Sequence, residues 1–177
     1  IYGLWNVIGK SGLISLFKLI PWCHKNGLDD IIENVGSGLS PHVVETWLLN
    51  NCELFNKTNT LDLRNHHLGD EGVIALSNIL MKHNKAFSME MLNLEGNNTG
   101  VEGAKALAEM IKVNASLKKI DLRRNKFGST GWIKIFNGIK ENENCKLEEL
   151  NLYDENIGIE GAKSLAEMLK VNASLKK

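Results

Sequence analysis

The run IGKSG at 8–12 sets a lysine and a serine behind a glycine, the ending of a loop that cradles phosphate with backbone amides ahead of a helix. Such a loop needs its first glycine at position 4, where Leu4 stands; Gly3 is one residue too early. Metal chemistry fares no better. His66 and His67 are adjacent, so a strand or tight turn points them apart, and Cys23, Cys52 and Cys145 form no C-x-x-C. Ser, His and Asp all occur, but no nucleophile motif joins them. These residues are read as turn and surface groups. No catalytic residue, cofactor or metal is expected, and the chain is read as non-enzymatic. What remains is a recurring set of charged and aromatic residues: Arg64, Glu95, Arg123 and Tyr153, each followed at once by Asn65, Gly96, Arg124 and Asp154.

The recurrence comes from an internal repeat. VEGAKALAEMIKVNASLKK at 101–119 returns as IEGAKSLAEMLKVNASLKK at 159–177, with 16 of 19 residues identical. Weaker copies fill the intervals. Leu61-x-Leu63, Leu92-x-Leu94, Ile120-x-Leu122 and Leu150-x-Leu152 open the units, at spacings of 31, 28 and 30. A fixed period in this range marks a solenoid.

Each hydrophobic-x-hydrophobic opening predicts a short strand whose alternate side chains face one way. A turn and a Gly-x-x-Gly pair follow: Gly69/Gly72, Gly100/Gly103, Gly128/Gly131 and Gly158/Gly161. Glycines there predict a tight turn or a close backbone approach at a helix entrance. The helix itself is amphipathic, as in Ala104, Leu107, Met110 and Ile111. Asn114 and Asn172 are expected to end their helices in the left-handed conformation. Asn142 is expected to be a dispensable residue of an outer loop. Parallel strands stack about 4.8 Å apart, whereas packed helices need about 8–10 Å. The helical side is therefore the longer arc, and an α/β horseshoe results, with parallel strands on the concave face and helices on the convex one.

Residues 60–177 carry this pattern firmly, with the last repeat truncated. Residues 1–59 are read as degenerate N-terminal repeats or a cap. NVIGKSGLISLFKLI from Asn6 overlays NNTGVEGAKALAEMI from Asn97, but Gly3 and Glu33 occupy positions that are Leu in later units. If the register holds, Tyr2, Leu4 and Trp5 fall on the concave face. VNASLKK at 113–119 runs into a strand, so the copy at 171–177 predicts that the parent chain continues with another strand. It also predicts self-association of this chain through its uncapped C-terminal end.

Through its L-x-L-x-x-N-x-x-G-x-x-G pattern, led in by SLKKIDL or KLEELNL, the chain resembles the ribonuclease-inhibitor-like class of leucine-rich repeat proteins. The resemblance covers 60–177 specifically and 1–59 loosely. It implies a horseshoe solenoid in which the Asn after each strand hydrogen-bonds the turns of neighbouring units. Asn97 and Asn125 match that role, as does Asn6 if the N-terminal register holds; His66 and Glu155 depart from it. A buried Glu there needs partners or a raised pKa. Proteins similar to this one are mostly binding scaffolds, and a minority activate small GTPases.

Composition narrows the partner. The formal net charge is zero, which excludes a strong long-range field toward nucleic acid or an acidic membrane. No apolar run reaches the length of a membrane helix. Three cysteines cannot all pair within one chain, and unpaired thiols suit a reducing compartment, so the expected location is cytoplasmic. The expected partner is another protein, with no nucleic acid and no membrane. The expected contact residues lie on the strand face that points away from the core: Arg64, Glu95, Asp121, Arg123, Arg124, Asn151, Tyr153 and Asp154. Arg and Tyr are enriched at binding hot spots. The alternative is a GTPase-activator-like regulator using an Asn or Arg at the strand ends, and nucleotide binding through 8–12 is a distant third. Trp132, in the place of Ala104 and Ala162, is expected to pack against a neighbouring helix.

Overall fold

The computed structural model describes residues 59–84, 88–153 and 155–176. The N-terminal readings, including the 8–12 glycine run, the Asn6 register and the concave placing of Tyr2, Leu4 and Trp5, lie outside the described residues.

Four strand–helix units follow one another: β1 (Thr60–Asp62), α1 (Gly69–Lys82), β2 (Met91–Asn93), α2 (Val101–Val113), β3 (Lys119–Asp121), α3 (Gly128–Glu141), β4 (Glu149–Asn151) and α4 (Gly158–Val171). The strands form one parallel sheet in the order β1-β2-β3-β4. Its register aligns Leu61, Leu92, Ile120 and Leu150, the residues that open each repeat. Beside them Leu63, Leu94 and Leu122 are fully buried. Strand pairing continues beyond the strands: Asn65 N–H donates to Glu95 O at 2.8 Å and Gly96 N–H to Arg123 O at 2.9 Å. Consecutive units thereby stack as an α/β solenoid, strands concave and helices convex.

The helices bury one stripe each. In α2 this stripe is Ala104, Leu107, Ala108, Met110 and Ile111, while Glu102, Lys105, Glu109 and Lys112 stay exposed. Glu102 in the first turn and Lys112 in the last suit the helix dipole. Three of the four leading glycines, Gly69, Gly128 and Gly158, sit at φ of +62°, +58° and +65°. Gly100 is extended instead, and its N–H is held at 2.6 Å by the Asp70 carboxylate of the preceding unit. Helices α2 and α3 meet closely at Gly138, where a Cβ would lie 2.5 Å from the Ala108 carbonyl oxygen. On the other side of α3, Trp132 is wholly buried. It meets Phe127 edge-on at 5.2 Å and stacks on Phe136 at 5.6 Å. The Trp is buried rather than exposed on the convex face, and both of these ring partners belong to its own unit rather than to a neighbouring helix.

Inside the turns, Asn97 Oδ1 accepts from the His66 and Leu68 N–H groups of the previous unit, both at 3.2 Å. Its Nδ2 donates to Leu63 O at 2.8 Å and Leu94 O at 3.0 Å. Asn125 repeats this one unit on, accepting from Thr99 N–H at 3.0 Å and donating to Leu94 O and Leu122 O at 2.9 and 2.8 Å. Each amide joins two units through backbone groups that water does not reach. Losing such a partner costs about 1–3 kcal/mol.

Two expectations about the helix ends are corrected. Asn114 and Asn172 close α2 and α4 in extended conformation, at φ −81° and −86°, not in the left-handed one. The side chain makes the turn: Asn114 Oδ1 accepts from Ser116 and Leu117 N–H at 2.9 and 2.8 Å, and no positive φ is needed. Asn142 is not a dispensable loop residue. It is buried, and its Nδ2 donates to Ile111 O at 2.7 Å and Asn114 O at 2.6 Å. It takes up the Asn114 carbonyl just past α2 and adds a second donor to Ile111 O, which otherwise accepts the Asn114 N–H at 3.2 Å. A second amide bridge between units therefore runs below the helices.

Candidate partner-binding face

On the strands, the side chains alternating with the core point outward: Thr60 and Asp62, Met91 and Asn93, Lys119 and Asp121, Glu149 and Asn151. Arg64, Glu95, Arg123 and Tyr153 come next in the same rows. The Asp/Asn column has a local task. Asp62, Asn93, Asp121 and Asn151 each accept the backbone N–H two residues on, from Arg64, Glu95, Arg123 and Tyr153, at 3.2, 3.0, 3.2 and 3.1 Å. A short polar side chain is needed for that turn, which explains why only Asp and Asn occur there. Asp121 and Asn151, expected as contact residues, thus act first as turn locks.

The arginines then sort themselves. Arg64 closes a fork on Asp62, with Nε 3.0 and 2.9 Å from the two carboxylate oxygens and Nη2 on Oδ2. Arg123 forks on Asp121 in the same way, with Nε at 3.0 and 3.1 Å and Nη2 at 2.8 Å, and its Nη2 also reaches Glu95 Oε2 at 3.1 Å. Arg124 Nη1 takes the other oxygen of Glu95 at 3.3 Å. The expected ladder Arg64–Glu95–Arg123 is therefore uneven. Arg64 turns back to the Asp on its own strand, because residues two apart share a face and the planar guanidinium fits a carboxylate bidentately. Glu95 is left to the two arginines following β3. Donating hydrogen bonds to Asp62 and Asp121 raises the Arg64 and Arg123 pKa values above the ordinary guanidinium value, so both are charged.

The turn column is left-handed throughout its described length. Asn65, Gly96 and Arg124 have φ of 59°, 69° and 55°. Gly96 fits on two counts, since a Cβ there would lie 2.1 Å from Asn65 Oδ1. Asn tolerates this region; Arg does so at a cost of roughly 1–2 kcal/mol. What steadies Arg124 is Glu155, whose Oε1 accepts the Arg124 N–H at 2.6 Å while Oε2 accepts from the Trp132 indole at 3.3 Å. The Glu155 carboxylate has the partners a Glu at this position needs, because its longer side chain reaches both the preceding turn and the preceding helix. Tyr153 stands beside Arg123 in the next row, 74% exposed. Asp154 lies outside the described residues.

One column escaped the sequence reading, at the strand starts. Lys118 pairs with Glu90 at 2.7 Å, Lys119 with Glu149 at 3.0 Å and Lys176 with Glu148 at 2.9 Å. Its signal was present: KK at 118–119, EE at 148–149 and KK at 176–177 alternate at the repeat period. Among the described residues no group of three His, Cys, Asp or Glu is placed to hold a metal ion, and no helix is long and apolar enough to cross a membrane. Cys145 is a free, half-buried thiol.

Comparison with known proteins agrees with this architecture. The leucine-rich repeat family profile matches residues 59–77, 85–108, 113–136 and 143–166, together more than half of the chain. The chain is 34% identical over 116 residues to the ribonuclease inhibitor of Mus musculus, a match covering 66% of this chain and 25% of that protein. It is 33% identical over 103 residues to RAN GTPase-activating protein 2 of Arabidopsis thaliana, covering 58% of this chain and 18% of that one. The chain thus spans a quarter or less of the length of these relatives. Its fold resembles that of leiomodin-1 actin-binding site 2, with a TM-score of 0.62, 19% identity and 78% of each chain covered. With the repeats, the parallel sheet and these relatives in agreement, the chain belongs to the leucine-rich repeat family, in its ribonuclease-inhibitor-like class.

Proposed function

We propose that this chain is a non-enzymatic scaffold, cytoplasmic in location, that recognises another protein through its concave strand face. The observation that carries the reading is the row of exposed Arg64, Arg124 and Tyr153 on a rigid base. The Asx turns, the Asp forks and Glu155 hold their backbones in place before any partner arrives. Pre-organised Arg and Tyr side chains lose little freedom on binding and suit hot spots. Glu95, Asp121, Arg123 and Asn151 form the supporting layer, and Asp154 is proposed with them from its place in the repeat. The ribonuclease inhibitor relative supports a role in protein binding. A photo-crosslinking amino acid placed at 64 or 153 should capture a protein, while the same group at 105 or 134 on the helical face should not. Equal capture from both faces would remove the concave assignment.

A second reading is favoured by one relative, RAN GTPase-activating protein 2. Under it the strand-end Arg124 would act on a bound small GTPase. A panel of small GTPases incubated with this chain separates the two readings: stimulated hydrolysis that Arg124→Asn abolishes selects the second.

A further inference from the structure

Ion pairs along the strand ends are exposed unequally, and always in the same sense. Arg64 is 56% exposed against 28% for its partner Asp62, and Arg123 28% against 13% for Asp121. Arg124 is 71% exposed while Glu95, which it meets, is 9% exposed. At the strand starts, by contrast, Lys118 and Glu90 are almost equally exposed, as are Lys119 and Glu149. In that column only Lys176, 70% exposed against 41% for Glu148, repeats the bias; every pair shows it along the strand-end rim of the concave face. Its formal charge is balanced, yet the layer a partner touches consists of guanidinium N–H donors, with the carboxylates sheltered beneath. Arg124 adds a second, independent sign. It occupies a left-handed backbone position that Asn65 and Gly96 fill in the other units, so the turn has no need of an arginine there. Its N–H is fixed at 2.6 Å by Glu155 of the following unit, while its guanidinium reaches back to Glu95 of the preceding one.

We propose that Arg124, with Tyr153 and Arg64 along the same rim, receives carboxylate side chains from an acidic segment of the protein partner. The proposal rests on the concave-face reading and specifies its chemistry. A carboxylate accepts two parallel N–H bonds from a guanidinium, geometry that Arg124 can offer from the side turned away from Glu95. Glu95 keeps its bond to Arg123 when Arg124 turns outward, so no sheltered carboxylate is stranded.

The test uses the 177-residue chain and a fluorescent deca-glutamate peptide at low salt, with deca-lysine and a single-stranded oligonucleotide as the other arms. Affinity is read by anisotropy and the site by NMR of the arginine Nε–Hε and Tyr153 resonances. Deca-glutamate should bind, shifting Arg124 and Tyr153. Arg124→Asn, which installs the residue found at position 65, should weaken it about ten-fold, whereas Lys134→Gln on the helical face should leave it unchanged. Retained circular dichroism shows that Arg124→Asn is folded. Equal loss in both variants, tighter binding of deca-lysine, or preferential binding of the oligonucleotide at Arg124 overturns the proposal. Concave-face crosslinking that persists alongside such a result leaves the scaffold reading standing and removes only the acidic partner.

Discussion

The indole Nε1 of Trp132 donates to Oε2 of Glu155 at 3.3 Å, joining two residues that each break the repeat. Trp132 stands where the other described units carry Val73, Ala104 or Ala162, and Glu155 where Asn97 and Asn125 bridge turns. Neither substitution suits the repeat alone. Buried Trp needs an acceptor for its N–H, and a half-buried carboxylate needs donors. Here each supplies the other, and the second oxygen of Glu155 takes the backbone of Arg124.

Removing this carboxylate should therefore be felt on both faces of the solenoid. Glu155→Ala is expected to cost about 1–3 kcal/mol, and Trp132→Phe less. A double-mutant cycle between them should show a coupling of about 0.5–3 kcal/mol by urea denaturation. Additive effects would mean that the contact is incidental.

Arg124→Ala with Tyr153→Ala should weaken binding of the captured partner by roughly 1–4 kcal/mol in total, with a nearly unchanged thermal midpoint. Neither side chain belongs to the core, so a large drop in stability would count against the assignment as much as normal binding would.

The amide bridges predict stability losses at two sites. Asn125→Ala and Asn142→Ala should each cost about 1–3 kcal/mol, because the first removes the side-chain partner of Thr99 N–H and Leu122 O and the second that of Asn114 O. Asn144, exposed two residues beyond Asn142, should tolerate alanine with little loss. Thermal midpoints of the three variants decide the matter, and an Asn142 variant as stable as the Asn144 one would contradict it.

Acid should loosen contacts between units. The Glu141 carboxyl is held below the usual carboxylate range by its hydrogen bond from Lys112, and Glu148 by its bond from Lys176. A depressed folded pKa contributes stability that is present above the ordinary carboxylate value and lost as pH falls through the lower folded value. The thermal midpoint should fall between roughly pH 5 and pH 3. Glu141→Gln should begin lower at neutral pH and converge with the parent chain in acid. Parallel curves would show that the Lys112 pair contributes nothing.

Leu169 predicts association. At the same helix position Leu80, Ile111 and Ile139 are buried, whereas Leu169 is 49% exposed and Leu165 and Leu152 are only half-buried. Among the described residues no further unit covers the outer face of α4, and a second copy would cover it. Light scattering after gel filtration should show self-association at high micromolar concentration. Extending the chain by one polar-faced repeat, or substituting Leu169→Lys, should reverse it. A clean monomer from the unextended chain would show that this face is protected already.

Much of the architecture was legible because a solenoid is nearly one-dimensional. The hydrophobic-x-hydrophobic openings name the strands, and their spacing alone set the register found between Leu61, Leu92, Ile120 and Leu150. Asn97 and Asn125 were readable for the same reason, as one residue type at a repeating position. Asn142 was misjudged because its position in the unit reads as a loop. Its bonds to Ile111 and Asn114 exist only once α2 and α3 are stacked.

Sequence by itself thus determined the fold, the register and which residues face outward, since each follows from a period short enough to read along the chain. Tertiary structure decided how those residues are used. Whether Glu95 pairs with Arg64 or with Arg123 and Arg124, and which member of each pair is sheltered, depends on the reach of side chains between units about 30 residues apart in the chain. The partnership of Trp132 with Glu155 is of the same kind. Two local misfits cancel through a hydrogen bond across 23 residues, and no pattern along the chain reports that distance.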